Sequence, residues 1–172
     1  PTTSDEYAAL EQELAQANQD LAEAEVLLAE AAAEQDAAAE LSKTIAQVEA
    51  NETAKIEAWL AKDIDAMTNT FTDDVVMVDE TFRDHTVGMD EWRRINGIVI
   101  KFADPDATKV VDRFVSEDGT RAVAVWEWIG SNFYGKPFDL PFVLIHEYRD
   151  GKVAKQSIYY ASPDAYGQLT DQ

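Results

Sequence analysis

FTDDVVMVDETFRDHTVGMDEW, residues 71–92, is the stretch on which the reading of the fold turns. Its apolar run ends on a carboxylate, Asp79, and strand alternation would put Val75, Met77 and Asp79 on one face and Val76 and Val78 on the other. A loop, FRDHTVG, carries His85. Gly88-Met89-Asp90 then predicts a helix start with Asp90 as N-cap, and Trp92, Ile95, Val99 and Phe102 supply its apolar stripe. Strand, loop and amphipathic helix in that order leave one question: whether Asp79 is an acid–base group in a pocket or the polar end of an edge strand.

Working outward, TAKIEAWLAKDIDAM (53–67) spaces Ile56, Trp59, Leu60, Ile64 and Met67 as a buried helical face broken at Lys62-Asp63, which predicts helix, tight turn, helix. Downstream, four strand-like segments follow: Lys109–Val115, Arg121–Ile129, Phe138–Tyr148 and Lys152–Tyr160. Glu117-Asp-Gly, Tyr134-Gly-Lys-Pro and Arg149-Asp-Gly-Lys mark the turns between them. Helices first, then a strand, a helix and an antiparallel meander predict an α+β fold. The strands are apolar on both faces, so the sheet should curve around a helix on one side and bury its other side elsewhere, as in an oligomer interface.

Upstream the composition changes. Residues 7–50 lack Gly and Pro and are rich in Ala, Glu, Gln and Leu, which predicts a long helix. A heptad reading places Leu10, Ala17, Ala24 and Ala31 at one seam position and Leu14, Leu21 and Leu28 at the other, with a polar seam from Gln35 to Ser42. The helix is read either as a dimerisation or spacer element or as an arm packed on its own domain. Two segments result, an acidic helical extension over 1–50 and an α+β domain over 51–172.

The charge is −20, with 34 acidic and 14 basic residues, and residues 1–50 alone hold 12 acids and one base. Such a surface repels phosphate backbones, so no nucleic-acid partner is expected. Without cysteine there is neither a disulfide nor a thiolate site. No run is long and apolar enough for a membrane span. The polar start at Pro1 reads as trimmed and leans toward an exported protein, secreted or periplasmic, over a cytoplasmic one.

KDIDAMTNTFTDDVVMVD, HTVGMDEW and YGKPFDLPFVLIHEYRDGKVAKQSIYYASP together resemble the SnoaL-like and ketosteroid-isomerase superfamily, the nuclear-transport-factor-2-like fold, over residues 52–170. The resemblance implies a cone-shaped curved antiparallel sheet wrapped around helices, here preceded by the long helix. It also implies a deep, mostly apolar cavity for a small apolar ligand, often in a homodimer, that serves isomerase, cyclase, epoxide hydrolase or dehydratase chemistry or non-catalytic binding. It places Asp79 on the family's proton-shuttling carboxylate. The family's oxyanion-hole aspartate falls at Leu144 and its oxyanion-hole tyrosine near Lys55, with Trp59 one turn on. The cyclase acid–base aspartate falls around Ile158.

A carboxylate facing an apolar cavity has its proton affinity raised, which suits abstraction beside a carbonyl. His146, in alternation with the cavity-facing Phe142 and Leu144, and His85, near the mouth, are candidate partners for Asp79. Trp59, Trp92, Phe142 and Leu144 are expected wall residues, and Tyr160 a wall residue or hydroxyl donor. Glu127 points inward by alignment, whereas hydrophobicity points Trp126 and Trp128 inward instead; one β-bulge would reverse the answer. Neither cofactor nor metal is expected, since the two histidines and Asp79 lack a ligand spacing. Two readings stay open: an acid–base enzyme using Asp79, and a binding or oligomerisation module with a vestigial pocket.

Overall fold

The computed structural model describes residues 4–81 and 83–170. Helix α1 runs Ser4–Leu60, as its strong helix formers dictate. It ends where Lys62 takes φ 57°, and Asp63 caps the short α2 (Ile64–Thr68) by accepting from the Ala66 amide at 2.9 Å. The expected helix, turn, helix is therefore present. β1 (Phe71–Asp79), β2 (Asp84–Val87), α3 (Met89–Val99), a 3₁₀ turn at Ile100–Phe102, β3 (Lys109–Val115), β4 (Arg121–Ser131), β5 (Pro137–Arg149), β6 (Lys152–Tyr160) and α4 (Ala165–Thr170) follow.

Two features differ from the sequence expectation. Gly88, not Asp90, occupies the cap of α3, with φ 88°; Asp90 lies in the first turn, where its charge still complements the helix N-terminus. The segment Asp84–Val87, expected as loop, is an edge strand paired antiparallel with β1. Four residues with one buried side chain, Thr86, are too short to show alternation.

The six strands form one curved, unclosed sheet in the order β2-β1-β6-β5-β4-β3, which gives the α+β architecture expected. β3 to β6 are the antiparallel meander, while β1 joins β6 in parallel. Parallel neighbours need a long connection, and here most of the domain supplies it.

Alternation divides the sheet cleanly. Ala122, Ala124, Trp126 and Trp128 on β4 and Phe138, Leu140, Phe142 and Leu144 on β5 are buried; Val123, Val125, Val143 and Ile145 between them are half-buried. No bulge interrupts the β4–β5 ladder, so the tryptophans face inward and Glu127 faces outward. Trp59 of α1 packs on Trp126 and Trp128 at centroid distances of 5.3 and 6.3 Å, anchoring helix to sheet. A second cluster gathers Met67, Phe71, Val75, Trp92 and Ile100 around the start of β1.

The chain divides into two compact units, Pro1–Ser42 and Lys43–Gln172. In the first, the seam residues Leu10, Leu14, Leu21 and Leu28 are exposed. In the second, Val48 is buried in the domain. A chain starting at Lys43 is expected to keep its urea midpoint, whereas one starting at Asn51 also loses Val48 and about 2 kcal/mol or more. Equal midpoints for the two truncations would contradict this.

Candidate functional site

The second unit holds two neighbouring cavities. The outer one, about 230 Å³, is lined by Met77 and Asp79 of β1, Asp84 and Thr86 of β2, and apolar side chains of α3 and β4. The inner one, about 50 Å³, is walled by Trp59, Trp126, Phe142 and Leu144 and includes Lys55 and Gln156. Val99, Trp128 and Tyr160 line both.

Asp79 is half-buried at the end of β1, and its carboxylate accepts the Thr81 amide at 3.0 Å. Tyr160 stands on the adjacent β6. Burial, and then the Asp79 charge, push its phenol well above the usual tyrosine range, so the hydroxyl stays a proton donor at neutral pH.

At the inner end lies a buried polar cluster. Lys55 Nζ is 2.5 Å from Glu52 Oε1 and 2.7 Å from His146 Nδ1, while His146 Nδ1 is 2.8 Å from Glu52 Oε1. The three atoms form a closed triangle. Tyr148 donates to Glu52 Oε1 at 2.6 Å, and His146 Nε2 lies 3.3 Å from Gln156 Oε1. Asn51 ties the cluster to its surroundings by donating to the carbonyls of Thr70 and Gly151. Glu52, Lys55 and His146 are 2%, 3% and 0% exposed, so their charges must balance internally.

Burial alone would raise the Glu52 carboxyl, but His146 and Lys55 outweigh it and hold it well below the carboxylate range. Burial brings the Lys55 ammonium down to about 8 against the pull of Glu52. Burial, with Lys55 adding to it, lowers His146 and keeps the imidazole neutral near pH 7.

The predicted site residues separate into groups. Asp79 and Tyr160 meet at the outer cavity, and Trp59, Phe142, Leu144 and Tyr160 line the inner one. His146 belongs to the buried cluster behind the inner cavity, where Lys55, not Asp79, is its neighbour. His85 is exposed, because Asp84 and Thr86 take the cavity-facing register of β2 and alternation turns His85 away. Trp92 is fully buried against Phe71 at 4.3 Å and lines neither cavity. Glu127 pairs with Lys109 at 2.9 Å on the face opposite the tryptophans, which corrects the inward placement.

Glu52 and Lys55 were missed as site residues. A signal existed: Val48, Glu52, Lys55 and Trp59 follow the spacing of one helical face, so two charged residues occupy core positions of an otherwise apolar stripe.

A curved sheet closed by helices over an apolar cavity, with a carboxylate at the end of its first strand, defines a cone-type pocket protein. The chain belongs to the SnoaL-like domain family, whose model matches residues 53–156. Similar solved structures include Bal32a from a soil-derived mobile gene cassette, at 14% identity over 73% of this chain and 98% of that one, with a TM-score of 0.64. The epoxide hydrolase/cyclase-like enzyme SalBIII of pyran ring formation in salinomycin is similar at 13% identity over 68% and 92%, TM-score 0.60. A protein of ketosteroid isomerase-like fold from Catenulispora acidiphila, in complex with trimethylamine, is similar at 16% over 69% and 91%, TM-score 0.58. These likenesses establish the fold. No curated protein matches the sequence. Among the described residues, no helix is long and apolar enough to cross a membrane.

Proposed function

We propose that the domain takes a small, largely apolar molecule into its cone and transfers a proton on it, with Asp79 as the acid–base group, in chemistry of isomerase, cyclase, dehydratase or hydrolase type. The observation that carries this reading is Asp79 beside Tyr160 on the wall of an apolar cavity. Asp79 removes or returns the proton, and the Tyr160 hydroxyl supplies a donor at the same end. Lys55 stands near the position where the resemblance expects an oxyanion-hole phenol, and its ammonium can steady negative charge at the far end.

The test is a panel of cyclic enones, epoxides and lactones assayed for turnover and for thermal shift. Asp79→Asn is expected to cut turnover by about 100-fold while keeping the ligand-induced shift. A shift without turnover in the native chain would favour the second reading, binding alone. Leu144 supports that second reading, because it stands where a second oxyanion donor would be needed and has none to give.

We also propose that the domain is a homodimer through the outer face of its sheet. The half-buried Val123, Val125, Val143 and Ile145 lie in register with the exposed Phe114 and Tyr159, a continuous apolar patch across four strands. Val143→Lys, at the centre of the patch, is expected to convert a dimer into a folded monomer by sedimentation equilibrium. A monomeric native chain would sink this assignment.

A further inference from the structure

Burial opposes the charge on Lys55 and Glu52 supports it, while His146 Nδ1 stands within reach of the same ammonium. Three protons on the ammonium and one on the neutral imidazole can fill the edges of the Lys55–His146–Glu52 triangle only in certain arrangements, and the histidine tautomer decides which. In the tautomer with the proton on Nε2, which faces Gln156 Oε1 at 3.3 Å, Nδ1 presents its lone pair to the Lys55 ammonium at 2.7 Å. Nδ1 and Glu52 Oε1 are then two acceptors facing each other at 2.8 Å. Moving one proton from Lys55 Nζ to Nδ1 turns that contact into a charge-assisted hydrogen bond and leaves a neutral amine. Glu52 Oε2 is buried with no partner among the described residues, so the carboxylate has further capacity to hold positive charge. The amine so released belongs to a residue that lines an apolar cavity.

Resting on the reading of the cone as a ligand site, we propose that Lys55 is a nucleophilic amine that condenses with an aldehyde or ketone held in the inner cavity. His146 Nδ1 takes a proton from the ammonium. The Nζ lone pair forms a bond to the carbonyl carbon, whose π pair moves to oxygen and takes up the proton from His146, giving a carbinolamine. The nitrogen lone pair then forms C=N as the C–O bond breaks, and the oxygen leaves as water with a proton relayed from nitrogen through His146. The sum is ammonium plus carbonyl giving protonated imine plus water, with no oxidant or reductant. His146 is a positioning and proton-relay residue for Lys55, and Glu52 holds both. The iminium so formed acidifies the C–H bonds next to it. The substrate class is thereby narrowed to small apolar carbonyl compounds.

The test uses the full chain with acetaldehyde, small enough for the inner cavity of about 50 Å³, and sodium cyanoborohydride, followed by peptide mapping. Ethylation of Lys55, at least about tenfold faster than that of any exposed lysine at neutral pH, is expected from the larger fraction of free amine. The labelling rate should rise through pH 8, where the Lys55 ammonium gives up its proton. Lys55→Arg should lose the label. His146→Gln should slow labelling and move its pH profile, whereas Asp79→Asn should leave labelling intact. Label spread over surface lysines with Lys55 unmodified overturns the proposal. In that event, an acetaldehyde-induced thermal shift would leave the cavity reading standing, and its absence would remove that reading as well.

Discussion

Glu52→Gln is expected to cost the folded chain about 3–5 kcal/mol at neutral pH, because it strips the counter-charge from a fully buried lysine. In a domain of this size that is on the order of 10 °C in Tm. The pH dependence carries the diagnosis. In the native chain the Lys55 ammonium titrates at about 8 when folded and 10.5 by its ordinary value, so the unfolded chain binds more protons in that interval and the contribution of Lys55 makes stability rise with pH there. Without Glu52 the folded value falls further, and the variant begins its rise from the neutral range. Its deficit therefore narrows as pH climbs toward 8. On the acid side, the depressed Glu52 carboxyl gives the native chain stability that is present above its ordinary value of 4.5 and lost as pH falls, so the deficit narrows there too. Urea unfolding across pH measures it. A deficit that did not vary with pH would show that Glu52 fills space without holding the proton on Lys55.

Trp128→Ala is expected to be as damaging for a different reason. Trp128 is 3% exposed, packs edge-on against Phe138 at 4.7 Å and Phe142 at 6.2 Å, and stands in the wall common to both cavities. Removing it should cost about 3–5 kcal/mol in lost packing and void, with the two cavities joined. Its indole N–H has no partner among the described residues, so no hydrogen bond is lost with the ring. The enlarged space is apolar, and free indole should restore part of the lost midpoint, by more than it stabilises the native chain. Equal effects of indole on both would mean that the space had collapsed around the substitution.

Much of the architecture was legible because turn chemistry punctuates it. The four meander strands were placed to within two residues of their ends, since Glu117-Asp-Gly, Gly135-Lys-Pro and Asp150-Gly each stop an apolar run. The long helix followed from composition. β2 escaped because four residues carry no period, and the parallel seating of β1 escaped because nothing in FTDDVVMVD encodes which strand lies beside it. At the site, Asp79, Tyr160 and Leu144 could be positioned by resemblance. The Glu52–Lys55–His146 cluster could not, because a Glu and a Lys three apart on a helix look like an ordinary surface pair until the stripe from Val48 to Trp59 is traced. Glu127 and Trp126 or Trp128 were indistinguishable by period alone, and an unbroken β4–β5 register decided between them.

The seating of β1 beside β6 also bears on how the protein is made. Phe71 pairs with Val153 and Asp79 with Ile158, so β1 has no meander to join until the residues of β6 have been synthesised. During translation the β1–β2 hairpin and α3 must wait with their apolar faces uncovered, and the cone closes in one late step of high contact order. A ribosome-bound chain halted before Lys152 should therefore be open to protease within residues 71–99, and release of the final strand should seal it.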